Sequence, residues 1–377
     1  MGKRVTIRDI AEEAGVSTGT VHRAIYGKKG VGTDIQQKIL EICVQRGYQM
    51  NSVASALKRT PLRVVGAFPV PDGKGRFFYS HVWQGFRRAI DEVRDYNVDA
   101  VEVFYWQGTD HDQNEELRTC FDRYHGEIDA LVTIGHSSQA SREALRMYVE
   151  HNIPVFLACD DIPDCGRINC VQANYDMTGR MVAELLTSQI PERSTILLCC
   201  GDISIPSHYQ TVSGFEHYVQ ENHLKSMILK LYGYDDEFDL RERMRAELKR
   251  NSEIRGAFSV SARLSVLLAE EITATEKQDD IRIVASDLFD ETIQNMERGI
   301  VKNIVYKRPE EQAYCAAKQM SNYLLKGQRP SVDVQYIESC IIFRSNLDMY
   351  RQQEHRCSSN NTNGSALLFS RRSSTLL

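Results

Sequence analysis

From residue 63 onward the chain repeats one pattern. A short, unbroken apolar run is followed by a longer stretch in which apolar residues recur every three or four positions. The runs fall at 64–70, 101–105, 130–135 and 155–160, with the first amphipathic stretch at about 80–96. A second series has runs at 196–200, 227–231, 256–260 and 281–286. A strand buried on both faces reads as continuous apolar sequence, and parallel strands need a crossover of a dozen or so residues, usually a helix. Two such series predict an α/β body of two parallel-sheet lobes. Ligands in such sheets bind outside the carboxyl ends of the strands, so two facing sheets put the site in the cleft between lobes.

The chain has 377 residues, 42% hydrophobic and 26% charged, enough apolar material for two or three buried cores. No apolar run approaches the ~18 residues needed to span a bilayer. The first fifteen residues lack the apolar core of a secretory signal, so a cytoplasmic protein without membrane contact is expected. Ten cysteines are scattered without a Cys-x-x-Cys pair, and the loose group Cys159, Cys165 and Cys170 matches no standard zinc spacing. Neither metal nor cofactor is expected. The segment Met1-Gly2-Lys3-Arg4-Val5-Thr6 fits a myristoylation pattern, but the match is short and Thr6 serves as a helix cap.

Charge is uneven. Residues 1–60 hold ten lysines and arginines against five acids, a surplus of five in a chain whose net charge is −5, so the remainder carries −10. A basic module on an acidic body points to a polyanion-binding head. Its first helix starts at the cap Thr6, with Asp9 at the capping-box position and Val5 and Ile10 as a hydrophobic staple. Ile7, Ile10, Ala11 and Ala14 form its stripe and Gly15 ends it. Ser17 caps a second helix, with Val16 and Val21 as staple and Val21, Ala24 and Ile25 on one face. A third helix is predicted at about 34–46, capped by Thr33 with Gln36 at the box position, Ile35, Ile39 and Ile42 inward and Gly47 as its stop. Two short helices joined by a tight turn are the layout of a helix-turn-helix. The outward face of the second helix carries Thr18, Gly19, His22 and Arg23. Arg23 suits a guanine edge, because its planar fork matches O6 and N7 in the major groove.

The run Thr6-Ile7-Arg8-Asp9-Ile10-Ala11-Glu12-Glu13-Ala14-Gly15-Val16-Ser17, followed by Thr20-Val21-His22-Arg23, resembles the head of the lactose-repressor (LacI/GalR) family of bacterial transcription regulators. Gly47-Tyr48-Gln49-Met50-Asn51, then Val53, Ala54 and Leu57, is similar to that family's hinge. The resemblance implies operator contacts from Thr6, Arg8, Ser17, Thr18, Gly19, His22 and Arg23, and from Asn51, Ala54 and Leu57 in the hinge. Two turns are too few for a stable helix in water. In the family the hinge folds on the operator as a pair from two subunits, and the leucine matching Leu57 wedges between base steps in the minor groove. This chain departs from the family pattern at His22, where Ser is usual, at Tyr26, where Asn is usual, and across Val31-Gly32-Thr33-Asp34-Ile35-Gln36. The operator is therefore not transferable from a relative.

For the body, the resemblance implies a fold like the type I periplasmic sugar-binding proteins. Residue by residue it implies a ligand site of Phe77, Phe78, Asp160, Asn174, Tyr209, Asp287 and Lys307. The two phenylalanines match aromatics that flank a sugar ring, and Asp287 matches an acid that accepts two hydroxyls. Lys307 beside Arg308 favours an anionic ligand, whereas Asp161 after Asp160 favours a polyhydroxyl or cationic one. The implied domains are a helix-turn-helix head at 1–50, a hinge at 51–62, a two-lobed body at 63–346 and a disordered tail at 347–377. Lobe 1 takes 63–172 and 308–329, and lobe 2 takes 173–307 and 330–346, with crossings near Asn174, Lys307 and Pro330. The tail lacks tetramer-forming heptads, so a homodimer on a pseudo-palindromic double-stranded operator is expected.

A dinucleotide enzyme is disfavoured, since Gly73-Lys74-Gly75-Arg76-Phe77-Phe78 lacks the third glycine of a phosphate-binding turn. His136-Ser137-Ser138 follows a strand, but no motif places a base beside the serines. The sequence therefore reads as a ligand-responsive regulator, a repressor controlled by a sugar or sugar derivative, and not as an enzyme. The alternative is a solute-binding module with a non-specific DNA head.

Overall fold

A computed structural model describes residues 5–25, 30–46, 60–106, 112–233 and 236–351. The hinge residues Asn51, Ala54 and Leu57 lie outside these, as does the chain beyond Arg351. The described chain divides into two compact units, the head and the body.

The head has α1 (Ile7–Ala14), α2 (Thr18–Ile25) and α3 (Thr33–Gln45). Thr6 and Asp9 form the reciprocal capping box, the Thr6 hydroxyl accepting from Asp9 N and the Asp9 carboxylate from Thr6 N at 2.7 Å. Gly15 ends α1 at φ +71°, a left-handed conformation that glycine takes without steric cost. Ile10, Ala11, Ala14, Val21, Ala24, Ile39 and Ile42 make the core. Ile35 is not in it and is 44% exposed. The third helix begins at Thr33, one residue earlier than expected, and the Gln36 side chain donates to Ala24 O across helices instead of capping its own.

The body contains two six-stranded sheets. In lobe 1 these are β1 (Leu62–Pro69), β2 (Val98–Tyr105), β3 (Ala130–Ile134), β4 (Val155–Ala158), β5 (Asn169–Ala173) and β11 (Val334–Ile337). Their order is β11-β5-β4-β3-β1-β2, and all pairs are parallel. In lobe 2 they are β6 (Thr195–Gly201), β7 (Met227–Tyr232), β8 (Ile254–Ser259), β9 (Arg282–Ser286), β10 (Val301–Tyr306) and β12 (Cys340–Phe343). Their order is β12-β10-β9-β8-β6-β7, parallel except for β12.

Helices cover both faces of each sheet, as parallel sheets require. Lobe 1 is packed by α4 (Arg76–Asp91) and α12 (Pro309–Lys326) on one face, and by α5 (Gln113–Arg123) and α6 (Gln139–Glu150) on the other. Lobe 2 has α7 (Tyr175–Gln189) and α8 (Pro206–Glu221) on one face, and α9 (Glu237–Arg250), α10 (Ala262–Ala274) and α11 (Asp290–Glu297) on the other. Helices α7 and α8 cross at two glycines. A Cβ on Gly179 would lie 2.0 Å from Thr211 O, and one on Gly214 would lie 2.0 Å from Asp176 O.

The chain passes between lobes three times. It leaves β5 for α7 at Asn174, leaves β10 for α12 at Lys307, and leaves β11 for β12 at Glu338-Ser339. The third crossing is thus not near Pro330, and 334–337 is not part of lobe 2, because Val334–Ile337 pairs in register with Cys170–Ala173 of lobe 1. The tail also starts later than 347. Leu347 is buried in the lobe 2 core, and Arg351 pairs with Glu297 at 2.5 Å.

Candidate functional site

The carboxyl ends of both sheets meet at these crossings, and between the lobes there is a cavity of about 60 Å³. Of the seven ligand residues expected from the sequence, Phe77, Phe78, Asp160, Asp287 and Lys307 line it.

Asn174 and Tyr209 do not line the cavity. The Asn174 side chain caps α7, accepting from Met177 N at 3.0 Å. Tyr209 is 58% exposed, because α8 turns Ser207, His208 and Thr211 inward and leaves Tyr209 on its outer face. The sequence reading missed these three, together with Tyr79, Tyr175, Ser261 and Arg263. One signal was available: Ser261 and Arg263 stand directly after β8, at a strand's carboxyl end.

Asp287 follows β9 with φ +65°, a conformation that Asp tolerates better than most residues. It is 1% exposed, and its carboxylate lies 2.9 Å from Lys307 Nζ. Lys307 Nζ also donates to Val260 O at 3.1 Å. This buried pair fixes the ends of β9 and β10 to each other and to β8. Asp161, by contrast, is turned away from the cavity into a buried bidentate pair with Arg167. His208 is held neutral, its pKa lowered to about 4 by burial and by the Lys307 charge.

Contacts across the cleft hold the lobes closed. Ser207 of lobe 2 donates to Asp160 of lobe 1 through its amide (2.7 Å) and its hydroxyl (3.1 Å), so Asp160 caps α8 from the other lobe. Ser137 Oγ donates to Ser204 O at 2.6 Å, and Arg76 pairs with Glu291 at 2.7 Å. The Phe77 and Phe289 rings meet with centroids 4.7 Å apart, in a small cluster with Ala262. Phe77 is therefore mainly an interlobe contact. Phe78 packs on the lobe 1 core and meets Tyr79 edge to face.

Burial raises the Asp160 carboxyl from its ordinary 3.8 to about 6, against the two bonds from Ser207. The closed fold thus binds this proton more tightly than the unfolded chain does. The penalty on stability is absent below pH 3.8, grows as pH rises to about 6 and is constant above that. Asp160→Asn keeps an oxygen for the Ser207 amide and removes the charge. It should stabilise the body by about 2 kcal/mol at pH 7.5. The gain should shrink toward nothing as pH falls through that window. Thermal unfolding from pH 4 to pH 8 measures this, and a gain independent of pH would refute the cause given.

On the head, Thr18, Gly19 and Arg23 lie exposed along α2, opposite the buried Val21 and Ala24. A Cβ on Gly19 would meet only Ser17 Oγ, at 3.7 Å. His22 shares this helix, but its side chain is not among those described. Arg8 is exposed on α1. Thr6 and Ser17 are exposed but spent as caps, Ser17 accepting from Thr20 N at 3.1 Å. Among the described residues no helix is long and apolar enough to cross a membrane, and no group of three His, Cys, Asp or Glu is placed to hold a metal ion.

Comparison with known proteins gives two family matches. The periplasmic binding protein domain matches residues 66–329, and the bacterial regulatory proteins of the lacI family match residues 6–51. Catabolite control protein A of Priestia megaterium is 26% identical over 221 residues, which is 58% of this chain and 62% of that protein. The chain thus spans under two thirds of that relative's length. Among solved structures, a putative LacI transcriptional regulator from Bacteroides fragilis superposes with a TM-score of 0.65 at 17% identity, covering 77% of this chain and all of the other. A solute-binding protein from Burkholderia graminis, in complex with D-arabinose, superposes with a TM-score of 0.68 at 16% identity, covering 77% and 98%. At these identities the two structures bear on the fold alone.

Proposed function

Because this chain belongs to the periplasmic binding protein domain family and carries the head of the bacterial lacI regulatory proteins before it, we propose that it is a sequence-specific DNA-binding transcription regulator. It acts as a repressor whose operator affinity is set by a small effector, a sugar or sugar derivative, in the interlobe cleft. It works in the cytoplasm as a homodimer, each head reading half of a pseudo-palindromic operator through Thr18, His22 and Arg23, while Leu57 of the hinge bends the site. Phe78, Asp160, Asp287 and Lys307 form the effector site. The observation that carries this reading is the pairing, in one chain, of an exposed helix face bearing Arg23 with a buried polar cavity between two lobes. Lobe closure that shifts the hinge pair couples the two sites, typically by about 1–3 kcal/mol.

The test begins by selecting an operator from a random duplex library with the full chain. Arg23→Ala should then weaken binding to the selected duplex by roughly 1–3 kcal/mol and relax specificity at one base position. Affinity and base preference unchanged by the substitution, measured by fluorescence anisotropy at fixed salt, would overturn the assignment.

A further inference from the structure

Helix α2 carries Arg23 in its last turn, the part of a short helix that frays most readily. The last four carbonyls of a helix have no partner within it. In this head one of them, Ala24 O, accepts from the side chain of Gln36, in the first turn of α3, at 3.1 Å. Gln36 is itself held in that turn, because its amide donates to Gly32 O at 2.9 Å. Lys38 Nζ serves α1 in the same way, donating to Ala14 O at 3.4 Å. Helix α3 therefore closes the carboxyl ends of both helices before it.

The two kinds of contact between α2 and α3 do different things. Val21 and Ala24 pack with Ile39 and Ile42 in the core of the head. Burial of that kind is non-directional, so it holds α2 down without fixing how far it turns or slides. The Gln36 bond is directional and weakens steeply when misaligned. It acts on the residue next to Arg23. The Arg23 guanidinium also lies near the turn that leads into α3, since a Cβ on Gly30 would be 3.7 Å from Arg23 Nη1. A bidentate contact to a guanine edge needs two N–H groups aligned with O6 and N7 at once. Such a contact tolerates an error of only about 0.5 Å.

We propose that Gln36 is a positioning residue for base recognition, fixing the last turn of α2 so that Arg23 meets its base in register. This rests on the reading of α2 as the helix that reads the operator. The Gln36 side chain is turned to Ala24 O, not to the outward face of α2. Its loss should therefore lower specificity and leave the sequence-independent attraction of the head for DNA as it was.

The test uses the full-length protein, the duplex selected from a random library, and a random duplex, with fluorescence anisotropy at fixed salt. The specificity ratio is the affinity for the first over that for the second. Gln36→Met nearly keeps the length of the side chain and removes the donor. It should weaken binding to the selected duplex about three- to tenfold, with affinity for the random duplex and its salt dependence unchanged. In an Arg23→Ala background it should weaken binding to the selected duplex no further. Gln36→Lys supplies a donor again and should restore the ratio, in which any effect of the added charge on phosphate contacts cancels. Lys38→Met removes the matching bond at α1 and should leave the ratio unchanged. A ratio unmoved by Gln36→Met in a protein that still unfolds cooperatively, or a loss that persists in the Arg23→Ala background, would overturn the positioning role while Arg23 kept its own. If the methionine variant does not fold, Gln36→Lys decides, a retained ratio supporting the role and a lost one overturning it. If Arg23→Ala itself relaxes no base preference, the reading of α2 falls and the role of Gln36 with it.

Discussion

Lys307→Met is expected to cost the body about 3–5 kcal/mol of stability, the usual consequence of leaving a buried charge without its partner. Methionine nearly keeps the length and volume of the side chain, so little packing is lost. What disappears is the ammonium 2.9 Å from the Asp287 carboxylate and its bond to Val260 O. Asp287 is 1% exposed and faces only a small enclosed cavity, so the carboxylate left behind is far less hydrated than in bulk water. The double replacement Asp287→Asn with Lys307→Met should recover most of the loss, because neither side chain then carries a charge. Urea unfolding of the wild-type, single and double variants measures both effects. A single-variant loss below about 1 kcal/mol, the range of exposed pairs, would mean that water in the cavity hydrates the carboxylate nearly as well as bulk solvent.

Gly214→Ala should destabilise by about 3 kcal/mol or more, against a helix propensity that ordinarily favours alanine over glycine by about 1 kcal/mol. The sign of the change is therefore the test. A Cβ there would sit 2.0 Å from Asp176 O and 2.7 Å from Asp176 C and Cα, all main-chain atoms that no rotamer change can move aside. Relief requires α7 and α8 to separate, which opens the cluster of Val182, Ala183, Leu186, Val212 and Phe215. Gly179→Ala, at the reciprocal contact, should act in the same direction. A neutral or stabilising result for either would show that the two helices cross further apart than described.

Much of this fold was legible because its strands are buried on both faces. The runs that became β1, β3, β4, β6, β8 and β9 are almost purely apolar. The strands missed were those whose apolar character is broken or brief. β5 carries Asn169 and Gln172, β10 carries Lys302 and Asn303, and β11 and β12 are four-residue pieces. Their place in the sheets is set by pairing with distant segments, which a local reading does not see. The same limit misassigned 334–337 to lobe 2. In the cavity, acids at strand ends were legible because the topology sends strand ends there. The difference between Tyr209 and His208 was not, since it depends on the phase of α8 against its sheet. Arg263 was passed over because it matches no expected motif, although it stands just beyond the carboxyl end of β8. In the head the caps were legible one by one. Ile35 misled because an apolar stripe does not say which of its members lies at the rim.

The three crossings also bear on how the chain can be made. Residues 174–306 sit as an insertion between two stretches of lobe 1, and each lobe takes its last strand from the final forty described residues, β11 for lobe 1 and β12 for lobe 2. During synthesis neither sheet is complete until almost the whole body has left the ribosome. Before that, β5 and β10 each present an open edge, the kind of surface that pairs with other chains. A chain ended by a premature stop before Val334 would keep both open edges at once. Such truncations should aggregate rather than yield one intact lobe, and no single cut can release either lobe as a continuous piece.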